Sequence, residues 1–183
     1  MPQYRRVNIK GGTYFLTLVT YQRQRLFLLP HVRNLLHKAI DYTQQNHPFY
    51  IQAYCILPDH VHFLWQLPEN DADYSLRISL IKRRFSKAYI AKFGLSYPKN
   101  SSRLKRRELN IWQRRFWEHY IRDEEDLNRH IDYIHYNPVK HELVDHVLDW
   151  EDSSFLDYVK AGYYDLDWGA NQKFETQKFL FGE

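Results

Sequence analysis

Cysteine is almost absent from this chain: Cys55 is the single one in 183 residues. One thiol cannot close an internal disulfide, so the fold has to be held by an ordinary core. Its setting in Ala53-Tyr54-Cys55-Ile56-Leu57 reads as a small buried hydrophobe. Long apolar runs are missing as well. Nothing approaches the roughly 18 to 20 consecutive apolar residues that cross a bilayer, and no membrane partner is expected. The first residues, Met1-Pro-Gln-Tyr-Arg-Arg-Val-Asn-Ile9, lack the apolar centre of a signal peptide. Internal repeats and low-complexity linkers are also missing. These absences lead to the expectation of a soluble, intracellular protein.

What is present fits one domain with a single sizeable core. The hydrophobic fraction, 44%, is that of a globular protein, and aromatics at 17% are abundant. Net charge is +4 with a pI near 9.0, which suits an anionic partner without identifying one. Thr13 to Thr20, β-branched and aromatic, follows Gly11-Gly12 and reads as a strand after a turn. From Pro30 to Gln45, Val32, Leu35, Leu36, Ala39 and Ile40 recur at helical spacing behind a proline suited to a helix start. Phe49 to Ile56 and His60 to Leu67 read as two strands interrupted by Pro58-Asp59, and Ser75 to Phe93 as a long helix ended by Gly94. A loop from Ser96 to Asn110 precedes a fourth strand within Ile111 to Ile121. Asp123 and Asp126 resemble a capping box opening a helix from Glu124 to Asn137, which Pro138 should stop. A short helix around His141 to Leu148 and an irregular tail complete the reading. Two strand–helix halves of this kind predict an α+β, ferredoxin-like sandwich: a four-stranded antiparallel sheet with helices on one face, plus a C-terminal helical extension.

The stretch richest in chemistry is Leu57-Pro-Asp-His-Val-His-Phe-Leu-Trp65. In an extended strand alternate side chains share a face, so His60 and His62 project together while Val61 and Phe63 anchor the opposite side. Two imidazoles on one rigid face are what a divalent metal site asks of its scaffold. A second element, Tyr133-Ile-His-Tyr-Asn-Pro138, supplies what the first lacks. On a helix, Tyr133 and Asn137 are one turn apart on one face. Asp126, His130, Tyr133 and Asn137 form a stripe beside the apolar Leu127, Ile131 and Ile134, and Tyr136 falls on the far side, towards solvent. Asn137 offers an amide oxygen suited to Mg²⁺ or Mn²⁺ beside the imidazoles. A tyrosine hydroxyl attacking a phosphodiester would give a covalent phosphotyrosine and retain the bond energy for rejoining. With a phenol pKa of about 10, a metal on the scissile phosphate would have to offset charge and align the attack. A single tyrosine among fifteen is ordinarily a packing residue, so the weight lies on the combination.

Three segments carry a family resemblance: Leu57-Pro-Asp-His-Val-His-Phe-Leu-Trp65, Trp112-Gln-Arg-Arg-Phe-Trp-Glu-His119 and His130-Ile-Asp-Tyr-Ile-His-Tyr-Asn-Pro-Val-Lys-His141. Together they resemble the REP-associated tyrosine transposases, single-tyrosine members of the HUH nuclease superfamily. The likeness starts at Tyr4-Arg-Arg and Lys10-Gly-Gly-Thr and continues to Asp149-Trp-Glu-Asp-Ser-Ser-Phe155 and Asp167-Trp168. It implies a transposase domain over residues 1–168 followed by a tail, 169–183. It also implies Mg²⁺- or Mn²⁺-dependent nicking and strand transfer on single-stranded DNA, directed by hairpins of repetitive extragenic palindromes. His60 and His62 then correspond to the metal-binding pair, Tyr133 to the nucleophile and Asn137 to the third ligand. A monomer is expected, in the cytoplasm and associated with the nucleoid. Two departures stand out: Glu142 follows His141 where glycine is expected, and the stretch from Tyr89 to Arg107 is longer than usual.

Basic residues interleaved with aromatics suit a single strand, with phosphates on Lys and Arg and bases stacked on rings. Arg77, Lys82, Arg83, Arg84 and Lys87 load the long helix; Arg103, Lys105, Arg106, Arg107, Arg114 and Arg115 cluster near Trp112, Phe116 and Trp117; Arg5, Arg6 and Lys10 could reach a hairpin foot. A second reading is a domesticated hairpin-binding regulator without catalysis. RNA-recognition domains use a similar sheet, but their aromatic–glycine signature is missing here. Binding alone requires neither the histidine pair nor Tyr133, which favours the enzyme.

Overall fold

The computed structural model describes residues 7–94 and 109–170, and Arg5, Arg6, Arg103, Lys105, Arg106, Arg107 and most of the C-terminal tail lie outside them. Strand β1 (Thr13–Val19) leads through two 3-10 turns to α1 (Pro30–Asn46), β2 (Tyr50–Ile56), β3 (His60–Gln66) and α2 (Tyr74–Phe93). After the undescribed segment come β4 (Trp117–Tyr120), α3 (Glu124–Lys140) and a short α4 (Phe155–Lys160). The strands pair antiparallel in the order β2-β3-β1-β4. With one helix after β1 and one after β3, this is the expected ferredoxin-like topology.

The strand pleat sorts the central residues into two cores. Tyr14, Leu16 and Leu18 of β1, with Val61, Phe63 and Trp65 of β3, face α1 and α2 and join Leu36, Ile40, Ile78, Ile81 and Phe85. Phe15 of β1, Leu64 of β3 and Ala53 and Cys55 of β2 face the other way and join Tyr133 and Ile134 of α3. The tyrosine helix therefore covers the opposite face of the sheet from α1 and α2, rather than all the helices lying on one side. The reason is compositional: β1 and β3 are buried almost throughout on both faces and need two covering layers.

Each of the three long helices has a local cause for its start. Pro30 occupies the first turn of α1. Asp73 caps α2 by accepting from the Leu76 N–H, and Asp123 caps α3 by accepting from the Asp126 N–H. Asp126 does not complete a capping box; its carboxylate accepts instead from the backbone and side chain of Arg122 and meets His119. Nor does Pro138 end α3. The helix runs on to Lys140 and closes with Glu142 N–H on Val139 C=O and Leu143 N–H on Pro138 C=O. That closure places the residue after the cap at positive φ, and Glu142 adopts φ 55° there. The glycine the family pattern calls for is thus a conformational requirement, which this chain meets with a glutamate. The short helix expected around His141 to Leu148 does not form; that region has only a 3-10 turn, Val147–Asp149, and the true helix is α4 further on.

The outer edge of β2 is covered by the chain after α3. Tyr54 N–H donates to Ser154 Oγ, Ser154 N–H to Tyr54 C=O, Ile56 N–H to Asp152 C=O and Trp150 Nε1 to Ile56 C=O. An edge strand that would otherwise present open backbone groups is thereby satisfied.

Two residues read from sequence as DNA contacts, Arg77 and Trp112, belong instead to this scaffold. Arg77 is buried, with its guanidinium donating to the carbonyls of His47, Pro48 and Asp73 and to the Asp71 carboxylate. It fastens α2 to the α1–β2 link. Trp112 is a core residue packed on Phe27 and Phe85. Arg77→Met should leave these carbonyls unpaired and lower unfolding free energy by about 2–3 kcal/mol in a urea titration. A loss of hairpin affinity at unchanged stability would contradict this structural role.

Candidate active site

Four elements converge on the α3 face of the sheet. The β1–β3 register sets Thr17 opposite His62 and Val19 opposite His60, and the β1–β4 register sets Thr17 opposite Trp117. His60 and His62 share a face as the alternation requires, with ring centroids 4.8 Å apart at 83°. Both are buried. Tyr133 lies over them, its ring 5.4 Å from that of His62 and 5.8 Å from Phe15. Asn137, fully buried one helical turn further on, shares that face of α3. Tyr133 and the two histidines are therefore brought together by one helix and one strand, and Asn137 follows Tyr133 on the same side of that helix.

Each histidine has one nitrogen occupied by the scaffold. His60 Nδ1 donates to Asp59 Oδ1 at 2.6 Å, which leaves Nε2 as the lone-pair nitrogen. That Nε2 is buried without a hydrogen-bond partner among the described residues. His62 Nδ1 lies 3.0 Å from Thr17 Oγ1. Burial raises the Asp59 carboxyl, but hydrogen bonds from His60 and Arg23 outweigh it and hold the group below its ordinary value. A carboxylate fixing one nitrogen while the other points inward is the arrangement of a metal-ligating histidine. His60, His62 and Asn137 offer imidazole nitrogens and an amide oxygen, donor types that suit a divalent ion.

The sequence reading missed several members of the site. Lys140 Nζ donates to Tyr133 Oη at 3.2 Å and lies 4.7 Å from the ring centre. The His141 ring packs against His60 at 5.3 Å. The steps from Tyr133 to Asn137 to His141 are each four residues, so His141 was legible as part of the stripe once α3 is allowed past Pro138. Thr17 lay in no motif, and Asp59 lay within one but was given no role; strand register and the turn before β3 place them. Tyr136 is not solvated as expected but lies half-buried beside Trp168.

Next to the site, His119, Asp126 and His130 bring ligand atoms within 4.8 Å of one another. Their hydrogen bonding accounts for the grouping. His119 Nε2 lies 2.8 Å from Asp126 Oδ2, Arg122 donates twice to that oxygen, and His130 Nδ1 donates to the Asp126 carbonyl at 2.7 Å. The cluster fastens β4 to the first turns of α3. Desolvation raises the Asp126 carboxyl, but the bonds from His119 and Arg122 prevail and hold it at about 2. Burial pushes the His130 imidazole down to about 4.

The remaining basic residues are not drawn together. α2 lies on the other side of the sheet from Tyr133. On it, Lys82 donates to the Gln113 carbonyl, Arg84 stacks on Tyr42, and Arg83 and Lys87 are exposed. Lys10 lies by the Thr13 end of β1, roughly 20 Å of strand from the histidine end. Arg114 and Arg115 are exposed in the segment entering β4, beside the Thr17–Trp117 pair. A cavity of about 960 Å³ lies elsewhere, between α1, the β2 edge and α3, with neither histidine of the pair among its lining.

The chain is similar to several known proteins over most of its length. The family model described as "Transposase IS200 like" matches residues 8–137. A REP-associated tyrosine transposase of Escherichia coli K12 is 42% identical over 93% of this chain and 93% of its own length. A Haemophilus influenzae relative assigned to the same group is 49% identical over 93% of this chain and 95% of its own. A solved REP-associated tyrosine transposase bound to a REP hairpin superposes with a TM-score of 0.78 at 42% identity, over 92% of this chain and 91% of that one. The chain belongs to the IS200-like transposases and, within them, to the REP-associated tyrosine transposases. It is a tyrosine transposase enzyme of α+β fold.

Acid should loosen the clamp beside the site. The folded His130 value of about 4 lies below the ordinary 6.5, so between those values the unfolded chain binds more protons. Stability from His130 is thus complete above about pH 6.5 and lost as pH falls towards 4; that from Asp126 goes between about 4 and 2. The thermal midpoint should drop from pH 7 to pH 4.5. His130→Gln should flatten only part of that drop, because buried His135, held down to about 3, adds to it. A midpoint profile identical in variant and wild type would refute the assignment.

Proposed function

We propose that this chain nicks and rejoins single-stranded DNA at hairpins of repetitive extragenic palindromes, through a 5′-phosphotyrosine on Tyr133. The observation that carries the reading is the packing of the Tyr133 ring on His62, above a paired histidine face. Tyr133 Oη attacks the scissile phosphorus, the bond to the 3′-oxygen breaks, and that oxygen leaves protonated as a 3′-hydroxyl. The phenol proton passes to solvent, and the 5′ end stays on the protein. Reversal by any 3′-hydroxyl rejoins the strand without an external energy source.

His60, His62 and Asn137 would hold Mg²⁺ or Mn²⁺. Bound there, the ion supplies charge neutralisation and alignment of the phosphate. The protein residues do the rest. Asp59 and Thr17 hold the two imidazoles in orientation, and α3 holds the tyrosine against them. Hairpin DNA as the partner is supported by the complex of the 42%-identical relative. The exposed Arg114 and Arg115, beside the Thr17–Trp117 pair, suit phosphates of the strand leading to Tyr133.

Incubation with a labelled REP hairpin oligonucleotide and Mn²⁺ tests the chemistry. Tyr133→Phe should abolish the covalent adduct and leave hairpin affinity within about twofold; His60→Ala or His62→Ala should remove cleavage even at high Mg²⁺, and Asn137→Ala should be milder. An adduct that persists in Tyr133→Phe and disappears in Tyr136→Phe would move the nucleophile. Undiminished cleavage in EDTA would eliminate the metal.

The same oligonucleotide tests the surface. Affinity should fall steeply with salt, and Arg114→Ala with Arg115→Ala should reduce the slope of log K against log salt by about 1 to 1.5. An unchanged slope would place the strand elsewhere.

A further inference from the structure

The helix that carries Tyr133 also carries a cation to the oxygen that would react. Lys140 sits two turns after Tyr133 on the same side of α3, and long helical side chains lean back towards the N-terminus. Its Nζ donates to Tyr133 Oη at 3.2 Å and lies 4.7 Å from the ring centre. The contact exists because α3 continues beyond Pro138 to Lys140 before the closure around Glu142 ends it. Were the helix to stop at the proline, nothing in its geometry would return Lys140 to the ring.

We propose that Lys140 is a catalytic residue of the nicking and rejoining reactions, carrying the negative charge of the Tyr133 oxygen in both directions. This rests on the reading of Tyr133 as nucleophile. During cleavage the phenolic oxygen must present electron density to phosphorus, and an ammonium donating to it stabilises that density as the proton departs to water. During rejoining a DNA 3′-hydroxyl attacks the phosphotyrosine and gives its proton to water, the phosphorus–phenolic oxygen bond breaks, and the same ammonium stabilises the leaving phenolate until water reprotonates it. Lys140 acts as a hydrogen-bond donor and a positive charge, and neither accepts nor supplies the transferred proton. Its cation does not need the DNA to arrive, because the free protein already aims it at the reacting atom.

The test uses the full chain with a labelled REP hairpin oligonucleotide and Mn²⁺. Lys140→Met should slow formation of the Tyr133 adduct by about 10²-fold. Hairpin affinity and thermal midpoint should stay close to wild type, and Lys140→Arg should recover most of the rate. A structural role would not respond to the electronics of the phenol, so a second readout replaces Tyr133 by 3,5-difluorotyrosine, whose oxygen bears negative charge more readily. That replacement should rescue Lys140→Met by at least tenfold more than it changes the wild-type rate. A Tyr133 adduct forming in Lys140→Met within threefold of the wild-type rate would overturn the role of Lys140 alone. Equal losses in the Met and Arg variants with no fluorotyrosine rescue would also overturn it. If peptide mapping finds the wild-type adduct on another tyrosine, the nucleophile reading falls and the proposal with it.

Discussion

The structure depends on a central strand that is buried on both faces. From His60 to Trp65 every side chain of β3 is buried, so the pleat cannot send polar residues to solvent on one side. Instead it sends Val61, Phe63 and Trp65 into an apolar core and His60 and His62 into a second, mixed one. Buried imidazoles need partners, and the neighbouring strand and turn provide Thr17 and Asp59. The cover that α3 provides over this second core is the same element that brings Tyr133. Packing and site assembly are thus one event in this fold, and a one-residue slip of β3 would exchange the histidines for Val61 and Phe63.

Much of this was legible in the sequence because it depends on local period. The two-residue alternation around Val61 and the four-residue step from Tyr133 to Asn137 survive folding unchanged, and so did the strands and the helices α1 and α2. What failed depended on tertiary context. Pro138 is a helix breaker by its missing N–H, yet the closure through Val139, Pro138 and Glu142 holds one further turn together. That single turn is why Lys140 and His141 escaped notice. Arg77 and Trp112 looked like surface recognition groups by type, but a guanidinium stem and an indole serve equally well as buried fasteners, and their carbonyl and ring neighbours come from distant segments. The side of the sheet chosen by α3 was likewise not a local property; it follows from Phe15, Ala53, Cys55 and Leu64 needing cover.

The polar groups around the site divide into two layers with different tolerances. Asp59 and Thr17 touch the histidines directly. His119, Arg122 and His130 act one step back, joining β4 to α3 through the Asp126 carboxylate that each of them contacts. Low-dielectric surroundings strengthen such a network when it is complete and penalise it when one member is lost. The stacked rings of His119 and His130, 4.6 Å apart at 17°, add packing to the hydrogen bonds.

The tyrosine helix is tied to both margins of the sheet. At its start, Asp126 reaches His119 of β4; in its middle, His135 Nε2 lies 2.8 Å from Ser154 Oγ, which in turn accepts the Tyr54 N–H of β2. Hydrogen bonds at both banks oppose a pivot of this rod. On the proposed chemistry, the DNA 5′ end would therefore be moored to a stationary point while the released 3′ end is the mobile party. The choice between resealing the original strand and accepting a new one would then be made by competition among 3′-hydroxyls for a fixed seat, and the concentration of DNA ends around the protein would decide it.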